Sequence, residues 1–257
     1  MNKLLSIYVI FVVSFYLPQV ELQNSSNFYS FGTAFGDTLL PKNDDGSFGP
    51  VKLGVNIPFF GNIYSNLFVN TNGVISFLFP INSSKPLDFP MFVPLIAVFW
   101  NDLNPLTNGQ IYYRESSSTS DLSKAKEDVL KSNSNFASFF PSRAYVLTWD
   151  KVSAYGSSSL ATNSFQAVIA TDGKISFLIF DFGSLSLISK STLIGGNSGD
   201  GVNFYKFPEV LSTSPSSLSS LSNINVPGKW VLKIDSFSSP VVANPPSTTR
   251  TTTNKNR

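Results

Sequence analysis

The sequence contains no histidine and no cysteine, so any chemistry it performs must come from carboxylate, lysine, tyrosine or serine side chains. That absence excludes disulfides, thiol redox centres, Ser-His-Asp and Cys-His nucleophilic arrangements, and the zinc or copper sites that need nitrogen or sulfur ligands. Asp102, Glu115 and Asp150 stand near the ends of apolar runs, where paired carboxylates could flank a glycosidic bond if their separation allowed it. Any β-rich chain offers as many. Trp100, Trp149, Tyr112 and Tyr113 could stack on sugar rings as a lectin would, with burial in the core as the alternative for each.

Asn43-Asp44-Asp45-Gly46 supplies oxygen ligands and a glycine bend of the kind calcium loops use. The EF-hand register fails, because it puts Pro41 at the first ligand position and Lys52 where a bidentate Glu belongs. A different calcium site using Asp44, Asp45 or another loop carboxylate stays open beside the plain reading as an Asp-Gly turn. The stretch from Gly195 to Gly201 occurs once and with the wrong spacing for a calcium-binding glycine repeat, so it reads as a flexible loop. Asp181-Phe182-Gly183 matches a kinase tripeptide but lacks the strand lysine, catalytic-loop aspartate and glycine-rich loop that give the tripeptide its role. It reads as Phe182 in the core, with Asp181 and Gly183 opening a turn after the preceding strand. No residue is assigned to catalysis, to a cofactor or to a metal.

The elements that position these residues are mostly strands. With 257 residues, 42% hydrophobic and 13% charged, the chain can bury a real core, and its 24 Phe and its Val/Ile-rich runs favour pleated surfaces over helices. The fold class expected is mainly β (α+β): an antiparallel sheet or sandwich with one short helix. Residues 24–50, rich in Gly, Asn, Asp and Ser, read as a lead-in with little regular structure, and 51–57 as a first strand. Residues 67–70 and 73–79 form a hairpin around Asn70-Thr71-Asn72-Gly73, where Asn and Gly tolerate positive φ. Residues 95–100 are apolar throughout and fit a strand covered on both faces near the sheet centre. Strands are also expected at 110–114 and 143–152, then a second hairpin of 165–170 with 174–180 around Thr171-Asp172-Gly173, and a closing strand around Trp230.

The helix is expected over 121–132, near Leu122, Ala125, Val129 and Leu130 on one face, with Asp121 and Lys131 suiting its dipole and Glu127 pairing with Lys131. A net charge of +2, with no basic cluster, gives no basis for nucleic-acid binding. Lys3 precedes an apolar run at 4–17, too short to span a bilayer but suited to a signal-peptide core, so residues 1–23 read as a removed leader and the chain as secreted. The sequons Asn24-Ser25-Ser26 and Asn82-Ser83-Ser84 make Asn24 and Asn82 candidate N-glycosylation sites. Residues 236–257, rich in Ser, Thr and Pro, read as a disordered tail.

Taken in order, the segments resemble the nidogen-like (NIDO) domain of nidogens, alpha-tectorin and membrane mucins. The resemblance rests on the segment at 28–36 with Asp37, on Asp44-Asp45-Gly46-Ser47, on Ile57-Pro58-Phe59-Phe60-Gly61 with Tyr64, and on Leu67-Phe68-Val69-Asn70-Thr71-Asn72-Gly73-Val74-Ile75-Ser76-Phe77. It continues through Ile96-Ala97-Val98-Phe99-Trp100-Asn101-Asp102, Ile111-Tyr112-Tyr113-Arg114-Glu115, Thr148-Trp149-Asp150, Asn163-Ser164-Phe165-Gln166-Ala167-Val168, Thr171-Asp172-Gly173, the loop from Asn197 to Gly201 and Val226-Pro227-Gly228-Lys229-Trp230. It implies an extracellular, non-catalytic domain at 24–235 that works in cell–matrix adhesion or matrix assembly, with extracellular matrix or cell-surface glycoproteins as partners. It carries over no catalytic residues and no cofactor. Family members usually hold this domain beside cysteine-rich modules, so contacts made by such neighbours do not transfer to this chain.

Overall fold

The computed structural model describes residues 27–157, 160–186, 192–207 and 215–236. The leader, Asn24 and the tail beyond residue 236 lie outside the described residues. In chain order the first elements are β1 (Thr38–Leu39), β2 (Ser47–Phe59), β3 (Asn62–Asn70), β4 (Val74–Ser76), β5 (Leu95–Trp100), β6 (Leu103–Asn104) and β7 (Gln110–Ser116). There follow α1 (Thr119–Ser132), β8 (Arg143–Ala154), β9 (Thr162–Thr171), β10 (Ser176–Leu185), β11 (Leu193–Asn197), β12 (Phe204–Lys206), α2 (Pro215–Ser220) and β13 (Lys229–Lys233).

These strands build two antiparallel sheets. The first has the order β1-β7-β8-β9-β10-β13 with β6 alongside β8, and the second has the order β12-β11-β5-β4-β3-β2. The sheets cross face to face. Strand β2 meets β7 where Gly54 N–H donates to Glu115, meets β8 where Val55 contacts the Tyr145 hydroxyl, and ends where Phe60 N–H reaches the Ile234 carbonyl beyond β13.

Alternation along each strand sends every second side chain into the layer between the sheets. Tyr145, Leu147 and Trp149 of β8 enter that layer with Phe165 of β9, Phe180 of β10 and Trp230 of β13, facing Ile57, Leu67, Ile96 and Val98 of the second sheet. The residues between them in β8–β10, such as Val146, Val168 and Ile179, point outward and are covered by Ala125 and Val129 of α1 and by Tyr29. Both faces of these strands are therefore dry, which explains their near-continuous apolar sequence. On the outer face of the second sheet a smaller cluster of Val74, Leu95, Ala97 and Leu193 lies beneath Phe89.

The expected mainly β architecture, the two hairpins and the buried central strand at 95–100 are all present. Six details differ. The lead-in is more ordered than its composition suggests, since β1 pairs with β7 and β2 already begins at Ser47. Strand β4 stops at Ser76, because the Ser76 hydroxyl turns back to the Phe79 carbonyl at 2.7 Å. Gly195 and Gly196 lie inside β11 and not in a loop. A Cβ at Gly195 would stand 2.0 Å from the Tyr205 carbonyl oxygen, so the absence of a side chain is what lets β12 approach. Asp181 and Gly183 do not open a turn but continue β10, and Asp181 faces Lys229 across the β10–β13 ladder. In α1 the buried face includes Asp121 and Asp128, while Leu130 is only half-buried. The short helix α2 has no counterpart in the sequence reading.

Candidate functional site

The turn Asn70-Thr71-Asn72-Gly73 is densely bonded to its neighbours. The Asn70 amide donates to the Val74 carbonyl at 2.9 Å and the Ser76 hydroxyl at 3.2 Å, and its oxygen accepts from Ile81 N–H at 2.8 Å and from the Ser47 hydroxyl. Asn72 accepts from Leu103 N–H at 2.8 Å and donates to Asp45 at 2.7 Å. Trp149 Nε1 crosses from the first sheet to the Thr71 carbonyl at 3.0 Å. Only Gly73 of the four has positive φ, so the two asparagines are used for their amides and not for backbone tolerance. All four residues are buried. Their polar groups hold neighbouring segments together and are closed to a ligand.

Beside this turn lies an open cleft of about 100 Å³, lined by Leu40, Phe48, Val69, Thr71 and Ile111 among others. It falls well short of the roughly 300 Å³ at which small-molecule sites begin. Burial, with Asp45 next, holds the Asp44 carboxyl above its usual range, and burial followed by Asp45 and Asp44 does the same for Asp102. Asp45 is already engaged by Asn72. Among the described residues no group of three or more Asp, Glu, His or Cys is placed to hold a metal ion.

Of the three carboxylates singled out for glycoside chemistry, Glu115 and Asp150 are not brought together as a pair. In the β7–β8 ladder Gln110 faces Asp150 and Glu115 faces Tyr145. Glu115 and Asp150 are thus five positions apart along it, roughly 16 Å at ~3.3 Å per residue, where a glycosidase needs about 5–9.5 Å. Glu115 is bound to Arg143 at 2.8 Å and to Gly54 N–H at 3.0 Å, and Asp150 accepts from Ser164 at 3.3 Å. The aromatics follow their core alternative. Trp100, Trp149 and Tyr113 are buried, Trp149 stacks on Phe165 at 5.0 Å between centroids, and half-buried Tyr112 packs on Phe31 at 5.8 Å. Asn82 is exposed, and its Oδ1 lies 2.8 Å from the Ser47 hydroxyl oxygen.

The sequence reading missed two buried charge clusters. Lys229, 1% exposed, places its ammonium 2.9 Å from Asp128 of α1 and 2.8 Å from Asp181 of β10, and donates to the Asn27 carbonyl at 3.0 Å. The Tyr29 hydroxyl donates to the same Asp128 oxygen at 3.0 Å. Arg114 bonds Asp37 at 2.6 Å and Asp121 at 2.9 Å, tying the lead-in and the start of α1 to β7. The signal for the first cluster was Asp181 inside an otherwise apolar run, since a charge in a doubly buried strand needs a buried partner.

Burial is the main reason the Asp181 carboxyl is pushed up to about 6; Lys229 pulls it back and Asp128 adds to the rise. A raised carboxyl means that the folded state holds a proton the unfolded chain would release. The stability linked to this group is therefore complete below about pH 4 and is lost as the pH rises through about 6, on the order of 3 kcal/mol in all. Denaturant titrations at pH 4.5 and 7.5 should show this loss in the parent chain and a much smaller one in Asp181→Asn. An equal loss in both would mean that Asp181 does not titrate in this window.

Comparison with known proteins gives a consistent picture. The family model for the nidogen-like domain matches residues 65–236. Human alpha-tectorin is 34% identical over 251 residues, covering 91% of this chain and 12% of the tectorin. Mouse nidogen-2 is 30% identical over 276 residues, covering 91% of the chain and 19% of the nidogen. Dendrite extension defective protein 1 of Caenorhabditis elegans is 27% identical over 213 residues, covering 82% and 18%. The chain thus spans less than a fifth of the length of each of these relatives. No solved structure matches it. Strands β1 and β2 precede the matched range yet belong to the two sheets, so the folded unit begins before residue 65.

Proposed function

The chain belongs to the nidogen-like domain family, and from that premise we propose that it is a secreted, non-catalytic module that acts in cell–matrix adhesion or matrix assembly by binding an extracellular matrix or cell-surface glycoprotein. The observation that carries this reading is the engagement of its polar side chains. The Asn70 and Asn72 amides, Glu115, Arg114, Asp181 and Lys229 all hold one element to another. The residues quoted for the family therefore specify a rigid scaffold, and recognition falls to its surface. Among the described residues no helix is long and apolar enough to cross a membrane.

On this reading residues 1–23 are removed on export, residues 24–235 form the module, the tail is a linker, and Asn24 and Asn82 carry N-glycans. The exposed position of Asn82 supports the second site. Ser84→Ala should remove one glycan from the secreted chain, seen by mass spectrometry of the peptide that contains Asn82, and leave secretion intact. A parent peptide that differs from the variant only by the one oxygen atom of the Ser84→Ala change would show the site unused. The functional reading itself is tested with the secreted chain on immobilised, purified basement-membrane glycoproteins, before and after enzymatic removal of their glycans. Saturable binding that survives deglycosylation is expected. Loss of binding with the glycans would favour a lectin instead, and absence of binding to the whole panel would count against the adhesive role.

A further inference from the structure

A sheet edge offers unpaired N–H and C=O groups to any extended chain, and folded proteins usually block it. Three of the four edges here are blocked. At β13 the Asn223 side chain takes both main-chain groups of Val231, at 2.8 and 2.9 Å, and Ser222 donates to the Lys229 carbonyl at 2.7 Å. At β2 Glu115 accepts from Gly54 N–H, and the Tyr145 hydroxyl brackets both main-chain groups of Val55. Strand β1 is only two residues long.

Among the described residues the fourth edge, β12, has no such guard. Phe207 N–H donates to the Ile194 carbonyl at 2.9 Å, and Ser198 N–H to the Asn203 carbonyl at 3.0 Å. By antiparallel alternation Tyr205 turns its main-chain groups toward Gly196, while Phe204 and Lys206 turn theirs outward. Among the described residues those outward groups have no partner. A lysine on an edge ordinarily deters pairing, but Lys206 is neutralised by Asp88 at 2.6 Å. The same border carries exposed apolar side chains: Phe204 at 40%, Val202 at 71% and Phe92 at 83%. Phe92 is presented rigidly. Its ring lies against Gly201, and the buried Asn197 amide clamps the main chain on either side through Met91 and Val93 at 2.8–3.0 Å.

We propose that the chain self-associates through β12, two copies pairing antiparallel about Tyr205 so that two six-stranded sheets become one twelve-stranded sheet. In that register Phe204 of one copy lies opposite Lys206 of the other, and each such pair exchanges two main-chain hydrogen bonds. The contact is isologous, so the outward main-chain groups of Phe204 and Lys206 in each copy meet the same groups of the other, donor to acceptor. Main-chain pairing over three residues with a few apolar side chains places it at the small end of specific interfaces, below about 1,200 Å². A second copy therefore fits better than a permanent, tightly bound partner.

The test is sedimentation velocity of the full secreted chain across a concentration series from roughly micromolar to near millimolar, the range a small interface implies, with hydrogen exchange at both ends. The expected result is a monomer–dimer equilibrium in which the Phe204 and Lys206 amides gain at least tenfold protection at high concentration. Lys206→Pro removes an outward N–H that the internal ladder does not use, and should weaken dimerisation at least tenfold with little change in melting temperature. Phe204→Asp, which leaves every main-chain group in place, should weaken it as well. A chain that stays monomeric throughout, or a dimer whose Phe204 and Lys206 amides exchange as fast as in the monomer, overturns the proposal. So does parental dimerisation in both folded variants.

Discussion

Lys229→Met should destabilise the fold by about 3–5 kcal/mol, a large part of the 5–15 kcal/mol that holds a typical domain together. The side chains have similar length and both fit an apolar setting, so lost packing is a small part of the effect. The larger part is electrostatic. Without the ammonium, Asp128 and Asp181 remain buried close to each other, with side chains 3% and 2% exposed, and neither can regain water without moving α1 or opening the edge of β10. At 2–4 °C per kcal/mol for a domain of this size, melting should fall by roughly 6–20 °C. A triple variant, Lys229→Met with Asp128→Asn and Asp181→Asn, should recover at least half of the loss, because it removes the stranded charges along with the cation. If the triple variant melts no higher than the single one, the damage lies in packing and the electrostatic account is wrong. The single variant should also regain stability as the pH falls and Asp181 takes up a proton.

Gly73→Ala should cost at least about 3 kcal/mol, far more than a methyl group ordinarily does in a turn. Two effects add. Gly73 has φ 77°, which alone disfavours alanine by about 1 kcal/mol, and the added Cβ would stand 2.3 Å from the Phe99 carbonyl oxygen. That oxygen belongs to the central strand β5, whose Val98 N–H bonds the Gly73 carbonyl at 2.9 Å, so relief would require moving β4 and β5 apart. Gly36→Ala is the control. Its φ is 84° and nothing lies within 4 Å of the added atom, so only the backbone effect of about 1 kcal/mol should remain. Urea unfolding of both variants measures the difference directly. Equal losses at the two positions would mean that the contact with Phe99 relaxes freely.

What the sequence by itself determined is the local grammar of the fold. The alternation in 143–152, the continuous apolar runs at 95–100 and 177–180, the Asp-Gly turn at 172–173 and the Glu127–Lys131 pair at 2.7 Å are all consequences of residues a few positions apart. The chain-wide order of turn and aromatic motifs was enough to expect the family before any coordinates. What only the tertiary structure decided are matters of long-range partnership. Asp181 reads as a turn residue until Lys229, 48 positions on, is seen beside it, and Asp128 stands outside the apolar face expected of the helix yet is buried where Tyr29 and Lys229 meet it. Asn70 and Asn72 carry the same letters whether they serve the backbone or the side chain, and contacts with Ile81 and Leu103 settle which. Gly195 looks like loop until the approach of Tyr205 shows why no side chain fits there. The physical reason is common to all of these: a buried polar group or a missing Cβ is stabilised by whatever the fold brings beside it, and that neighbour is set by topology.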